Sequence, residues 1–203
     1  MGGRTAPALS GVVGGEHMIW VLVILIALVV IVGLAFMFTY NGLVGLRNKI
    51  EAAYAQIDVQ LNRRHDLIPN LVETVKGYAK HESGTLEAVI AARNSAMSAN
   101  TIDEKAQAEN VISGALKSIF ALSEAYPDLK ANANFQQLQA ELGSTEDRIA
   151  YARQYYNDNV RAYNTKIQTF PSVIVANMFN FDERQYFQAD DQSRGNVAVD
   201  FGA

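Results

Sequence analysis

Four consecutive residues, Arg63-Arg64-His65-Asp66, form the most polar cluster inside an otherwise apolar seam of this sequence. Guanidinium groups hold carboxylates or phosphates through forked hydrogen bonds, and an adjacent imidazole and carboxylate can exchange a proton near neutral pH. Two chemistries compete for the cluster. Arg63 and Arg64 are candidates for gripping an acidic partner or a lipid head group. Alternatively, Arg64 and Asp66 pair with a facing helix around Glu146, Asp147 and Arg148, and this internal pairing is favoured.

Other residues that could do chemistry lack the companions it requires. His81-Glu82 opens like the zinc-binding H-E-x-x-H helix, but Thr85 stands where the second imidazole belongs. A di-iron bundle needs Glu-x-x-His pairs, and no glutamate precedes any of the three histidines by three positions. With no cysteine, thiolate ligands, thiol nucleophiles and disulfides are excluded. The glycines of Gly11-Val-Val-Gly14-Gly15 precede an apolar run instead of joining a strand to a helix, and phosphate-loop, dinucleotide and nucleophile-elbow motifs are missing. No enzyme, cofactor or metal is therefore expected. Net charge is −4, from 17 Lys plus Arg against 21 Asp plus Glu, which argues against nucleic acid as a partner.

Three further groups fit interaction or packing better than catalysis. Tyr151, Tyr155, Tyr156 and Tyr163 recur at helical spacing and are expected in the core and at its rim. Asn62, Asn70, Asn157 and Asn164 are expected to hydrogen-bond across helices and fix their register. The apolar segment from Val173 to Phe181 is the best candidate for docking a partner or for self-association, with Val173, Met178 and Phe179 as contact residues. Tyr186 and Phe187 form an aromatic pair further on and complete the candidate set.

The elements that position these residues begin with a membrane span. Met18 to Phe38 is 21 residues without a charge, and a helix of that length reaches roughly 30 Å, the hydrocarbon thickness of a bilayer. Trp20 and Tyr40 stand where interfacial aromatics belong. A cleaved signal peptide fits poorly, since the apolar run is too long, the leader over 1–17 carries only Arg4 as a basic residue, and no A-x-A site follows. Ala6 also argues against myristoylation of Gly2. Arg47 and Lys49 on the far side, against Arg4 on the near side, place the N-terminus outside and the following domain in the cytoplasm.

Beyond a hinge at Asn41, Gly42 and Gly45, a domain over 41–181 is expected, all-α: an elongated antiparallel bundle of two long and two short helices. The first long helix carries an apolar seam from Leu43 to Tyr78, with a kink or a helix junction at Pro69. Short helices follow, one over about 85–98 with Leu86, Val89, Ile90, Ala96 and Met97 facing inward. The next opens with the capping box Thr101-Ile-Asp-Glu104 and closes before Tyr126-Pro127. The last long helix repeats Phe135, Leu138, Leu142, Thr145, Ile149, Ala152, Tyr156, Val160, Tyr163, Ile167 and Phe170 at steps of three or four, straight across Gly143-Ser144. Residues 182–203 read as an acidic, loosely ordered tail apart from Tyr186-Phe187.

Several of these stretches resemble the LemA family of bacterial membrane proteins. LRNKIEAAYAQIDVQLNRRHDLIPNLVETVKGYAKHE is similar to its first helix. YPDLKANANFQQLQAEL, TEDRIAYARQYYNDNVRAYNTKIQTFP and NFDERQYF follow in the family's order, so the resemblance spans roughly residues 40 to 187. It implies an N-terminal anchor in the inner (cell) membrane, a short exposed N-terminus and a cytoplasmic antiparallel helical domain. No biochemical activity is established for the family. Its members are often encoded near membrane proteases and other envelope proteins, which implies a scaffold or adaptor in envelope stress or membrane-protein quality control. The expected partners are the lipid bilayer, other membrane or envelope proteins and further copies of the chain. The rival expectations are an enzyme with a site assembled between helices, and an extracytoplasmic binding module.

Overall fold

The computed structural model describes the backbone over residues 13–187 and side chains from residue 17. The expected leader up to residue 12, and the expected tail from residue 188, lie outside the described residues. Six helices follow in order: α1 (Val13–Lys76), α2 (Ser83–Ser98), α3 (Ile102–Ala125), α4 (Pro127–Lys130), α5 (Ala133–Gln168) and α6 (Ser172–Met178). No strand occurs among the described residues. The chain forms two compact units, one from residues 13–45 with 166–182 and the other from 46–165 with 183–187.

In the second unit the helices run up, down, up and down. Side-chain pairs fix the directions. Tyr54 stacks near Tyr156 and Arg64 pairs with Glu146, so α1 and α5 run oppositely. Lys105 bonds Asp58 while Ser113 reaches Arg64, so α3 runs with α1. Phe120 against Phe135, and Ser113 with Glu146, set α3 antiparallel to α5. The core between them is aliphatic, centred on Ile68, Leu71, Val75, Val89, Ile112, Leu116, Ile119, Phe135 and Leu142.

The seam of α5 holds the register its periodicity predicts. Leu142, Ile149, Tyr156, Val160 and Tyr163 are all buried, and the helix passes through Gly143-Ser144 unbroken. Tyr151 and Tyr155 face solvent, so the tyrosine group divides into core and surface members. The seam's last member, Phe170, is 81% exposed because the helix has ended at Gln168. In α2, Leu86, Val89, Ala92 and Ala96 face inward, whereas Met97 points out. The capping box at α3 is complete: the Thr101 hydroxyl accepts from the Glu104 amide at 3.2 Å, and the Glu104 carboxylate accepts from the Thr101 amide at 3.1 Å.

Of the two outcomes expected at Pro69, the helix junction does not occur: α1 is a single helix across it. A proline has no amide hydrogen, so the carbonyl four residues earlier loses its partner and the helix tends to break. That carbonyl belongs to His65. The Arg93 guanidinium of α2 donates to it instead, at 2.7 Å, and α1 continues as one helix through Pro69. It is equally uninterrupted through the expected hinge at Asn41, Gly42 and Gly45, although the division between the compact units falls just after Gly45.

The first unit contains the apolar run. Of its large side chains between Met18 and Phe38, all but Phe36 are exposed. Past its end, the Tyr40 ring packs against Phe179 at 4.8 Å and Phe181 at 5.7 Å between centroids. The space a side chain would occupy at Gly42 is taken by the Lys166 ammonium, 2.6 Å from where a Cβ would stand.

Candidate functional site

The Arg63-to-Asp66 cluster divides by helical geometry, since successive residues point about 100° apart. Arg63 and Asp66 face solvent, and Arg63 makes only a loose 4.0 Å approach to Glu141, a kind of exposed pair that contributes little. Arg64, 1% exposed, and His65 turn into the bundle. There they meet Glu109 of α3, itself 2% exposed. One carboxylate oxygen of Glu109 pairs with Arg64 and the other lies 2.7 Å from the His65 Nε2. Arg64 also pairs with Glu146 of α5 and donates to the Ser113 hydroxyl at 3.1 Å, which in turn donates to Glu146 at 3.2 Å.

Burial alone would drive the Glu109 carboxyl upward, because a charge loses its hydration there. The His65 hydrogen bond and the Arg64 charge outweigh that, and the group is held below the ordinary carboxylate value of 4.5. Glu109 is thus an ionised, doubly paired carboxylate and a poor proton donor. Two buried nitrogens, Arg64 Nε and His65 Nδ1, have no hydrogen-bond partner. The cluster is suited to fixing three helices in one register, since an unmatched buried charge makes any slipped arrangement expensive. Among the described residues no group of three or more His, Asp and Glu side chains is placed to hold a metal ion.

Sequence reasoning found Arg64 and its Glu146 partner but missed Glu109, Ser113 and Arg93. A signal for Glu109 was present. It stands three residues after Ala106 and three before Ile112, on the seam that continues to Leu116 and Ile119. A glutamate on an apolar stripe needs a buried cation.

Asn157 and Asn164 do not cross between helices as expected. Each grips the backbone of the C-terminal segment. The Asn164 amide donates to the Arg184 carbonyl and accepts from the Arg184 N–H, both at 2.9 Å. Asn157 does the same with Phe187, at 2.9 and 2.8 Å, and the Tyr156 hydroxyl donates to the Gln185 carbonyl at 2.8 Å. The spacing explains the fit: seven helical residues rise about 10.5 Å, and three extended residues cover about 10 Å. Two asparagines seven apart on α5 therefore act as a neighbouring strand would. Asn62 and Asn70 face solvent.

The remaining candidates separate by exposure. Phe187 is buried, with the Arg153 guanidinium 4.8 Å from its ring centre, and Tyr186 beside it is exposed. In α6, Val175 and Ala176 are buried and Val173 half-buried, whereas Met178 and the following Phe179 are 60% and 51% exposed. A separate groove of about 630 Å³ opens where α1 gives way to α2, floored by Val72, Leu86 and Ile90 and rimmed by Lys76 and Glu87.

An all-α bundle stitched by a buried arginine–glutamate–histidine cluster, and preceded by an apolar helix long enough to cross a membrane, defines the class of this protein. The chain belongs to the LemA family, whose model matches residues 53–201. It is similar to Protein LemA of Metamycoplasma hominis, 30% identical over 171 residues that cover 80% of this chain and 76% of the relative. It is also similar to the magnetosome protein MamQ of Magnetospirillum gryphiswaldense, 23% identical over 174 residues, covering 73% of this chain. Magnetosome protein MamQ 2 of Paramagnetospirillum magneticum matches at 23% over 175 residues, again 73% of this chain. This chain spans 64% of the length of these MamQ relatives.

Proposed function

We propose that the protein is a single-pass, membrane-anchored helical scaffold or adaptor of the inner membrane, with its N-terminus outside and its bundle in the cytoplasm, acting on other membrane or envelope proteins. The observation that carries this reading is the helix over 18–38: it is uncharged, and all of its large side chains but Phe36 are exposed. Such a surface requires an apolar medium, and the length matches a bilayer. The bundle supports the adaptor part. Its buried charges are turned on one another, which leaves exposed helix faces and the α1–α2 groove as what it offers to other molecules. Arg47 and Lys49 just beyond the span support the cytoplasmic placement.

Photo-crosslinking in intact membranes tests the reading, with a photoreactive residue introduced at Ile90 in the groove or at exposed Tyr151. Discrete adducts with membrane or envelope proteins are expected, and a fragment beginning at Tyr40 should lose them. Adducts that persist unchanged without the span would contradict an anchored adaptor. A C-terminal tag digested by external protease in intact spheroplasts would reverse the orientation.

A further inference from the structure

We propose that the α5–α6 turn and α6 form a second membrane contact, an uncharged foot that lies in the interface of the same bilayer the N-terminal helix enters. This rests on the anchor reading above. Three observations carry it. From Ile167 to Phe181 there are 15 residues without an ionisable side chain, bounded by Lys166 and Asp182, in a chain where 19% of residues are charged. Four large apolar side chains of that stretch are turned outward: Phe170, Ile174, Met178 and Phe179 are all exposed. The foot is also held at one level of α1, because Phe179 and Phe181 both pack on the Tyr40 ring.

That level decides the occupant. Tyr40 stands two residues beyond Phe38, the last residue of the apolar run, so it lies about 3 Å past the run along the helix axis. A ring stacked on Tyr40 is then at the depth where hydrocarbon gives way to head groups, the zone in which aromatic side chains are favoured. Helix α6 is amphipathic in the required sense. Val175 and Ala176 face inward, while Ile174 and Met178, four residues apart, share the opposite face. Most interfacial helices add a basic polar face. This one lacks it, and its attachment to the span by Tyr40 replaces that electrostatic contribution. The foot is continuous with the lipid-facing surface of the span, and this continuity favours lipid over a protein partner.

The chain's single tryptophan, Trp20, makes a direct test available. Full-length protein is reconstituted into phosphatidylcholine vesicles whose acyl chains are brominated near the head-group end, and indole fluorescence is compared with unbrominated vesicles. The native Trp20 reports the span. Met178→Trp and Phe170→Trp, each combined with Trp20→Phe, report the foot, and Tyr151→Trp with Trp20→Phe reports an exposed face of the bundle. All three new positions are exposed, so the substitutions leave the packing in place. The expected result is quenching at 178 and 170 comparable to that of Trp20 and several-fold above that at 151. Quenching of Trp20 with none at 178 or 170 would overturn the foot and leave the anchor standing. An indole at 178 that bromolipid does not quench, yet aqueous iodide cannot reach, would overturn it in favour of a protein contact. Absence of quenching at Trp20 would defeat the anchor reading and the foot with it.

Discussion

The middle of the bundle buries charge, whereas the stretch from Ile167 through α6 to Phe181 carries none. At Arg64, Glu109 and His65 three ionisable groups are sealed between helices and answer one another. Between Ile167 and Phe181 no ionisable side chain occurs, and Phe170, Ile174, Met178 and Phe179 face outward. The contrast reflects what each region must satisfy. A buried charge tolerates only its own partners, so it fixes which helix lies beside which. An apolar surface without charge asks only for an apolar medium, and so it suits a boundary with lipid.

The first way to break this comparison is to remove the charge on which the cluster turns. Glu109→Ala leaves Arg64 and His65 buried without their shared carboxylate and should destabilise the detergent-solubilised protein by about 3–5 kcal/mol in urea unfolding. A loss near zero would make the cluster dispensable. The triple change Arg64→Met, His65→Leu, Glu109→Leu should recover most of the loss, since no charge is then stranded. The pH dependence has a definite sign. Glu109 is held below its ordinary value of 4.5, so its contribution is fully present above that pH and disappears as the pH falls through the lowered folded-state value. Acid unfolding of Glu109→Gln should lack that component.

Next in size is the apolar seam. Ile149 is buried in α5, and Ile149→Ala should cost about 2–4 kcal/mol through lost transfer energy and a cavity. A surface-like loss would mean the register of α5 is wrong.

That register was legible in the sequence because burial imprints a 3.6-residue period on apolar residues. The capping box at Thr101 was legible for a similar reason: two side chains at fixed spacing answer two local amides. The charged cluster was half legible. Arg64 could be seen, but its main partner Glu109 lies 45 positions away, and nothing local joins them. Pro69 left a kink or a junction open, because the guanidinium of Arg93 that satisfies the orphaned carbonyl comes from another helix. The asparagine pairs were misread because gripping an extended segment leaves no periodic apolar trace.

Those asparagines give a smaller effect. Asn164→Ala removes two hydrogen bonds to Arg184, worth roughly 1–3 kcal/mol together. Its clearest readout is local: amide exchange at Arg184 should accelerate far more than exchange in the α1–α3 core. Equal acceleration everywhere would mean the segment is integral to the core. The smallest effect is expected at Arg153. Its guanidinium lies over the Phe187 ring, so Arg153→Ala should cost about 0.5–1 kcal/mol. The same loss in a Phe187→Ala background would show that the ring contact contributes nothing.

The central claim is that the helix over 18–38 anchors the chain in a bilayer, and alkaline carbonate extraction of isolated membranes tests it most directly. The full-length protein should remain in the membrane pellet. Leu28→Arg, which places a charge in the middle of the apolar run at a cost of about 2.5–3.5 kcal/mol, should shift it toward the supernatant. Release of the unaltered full-length protein by carbonate would contradict the anchor.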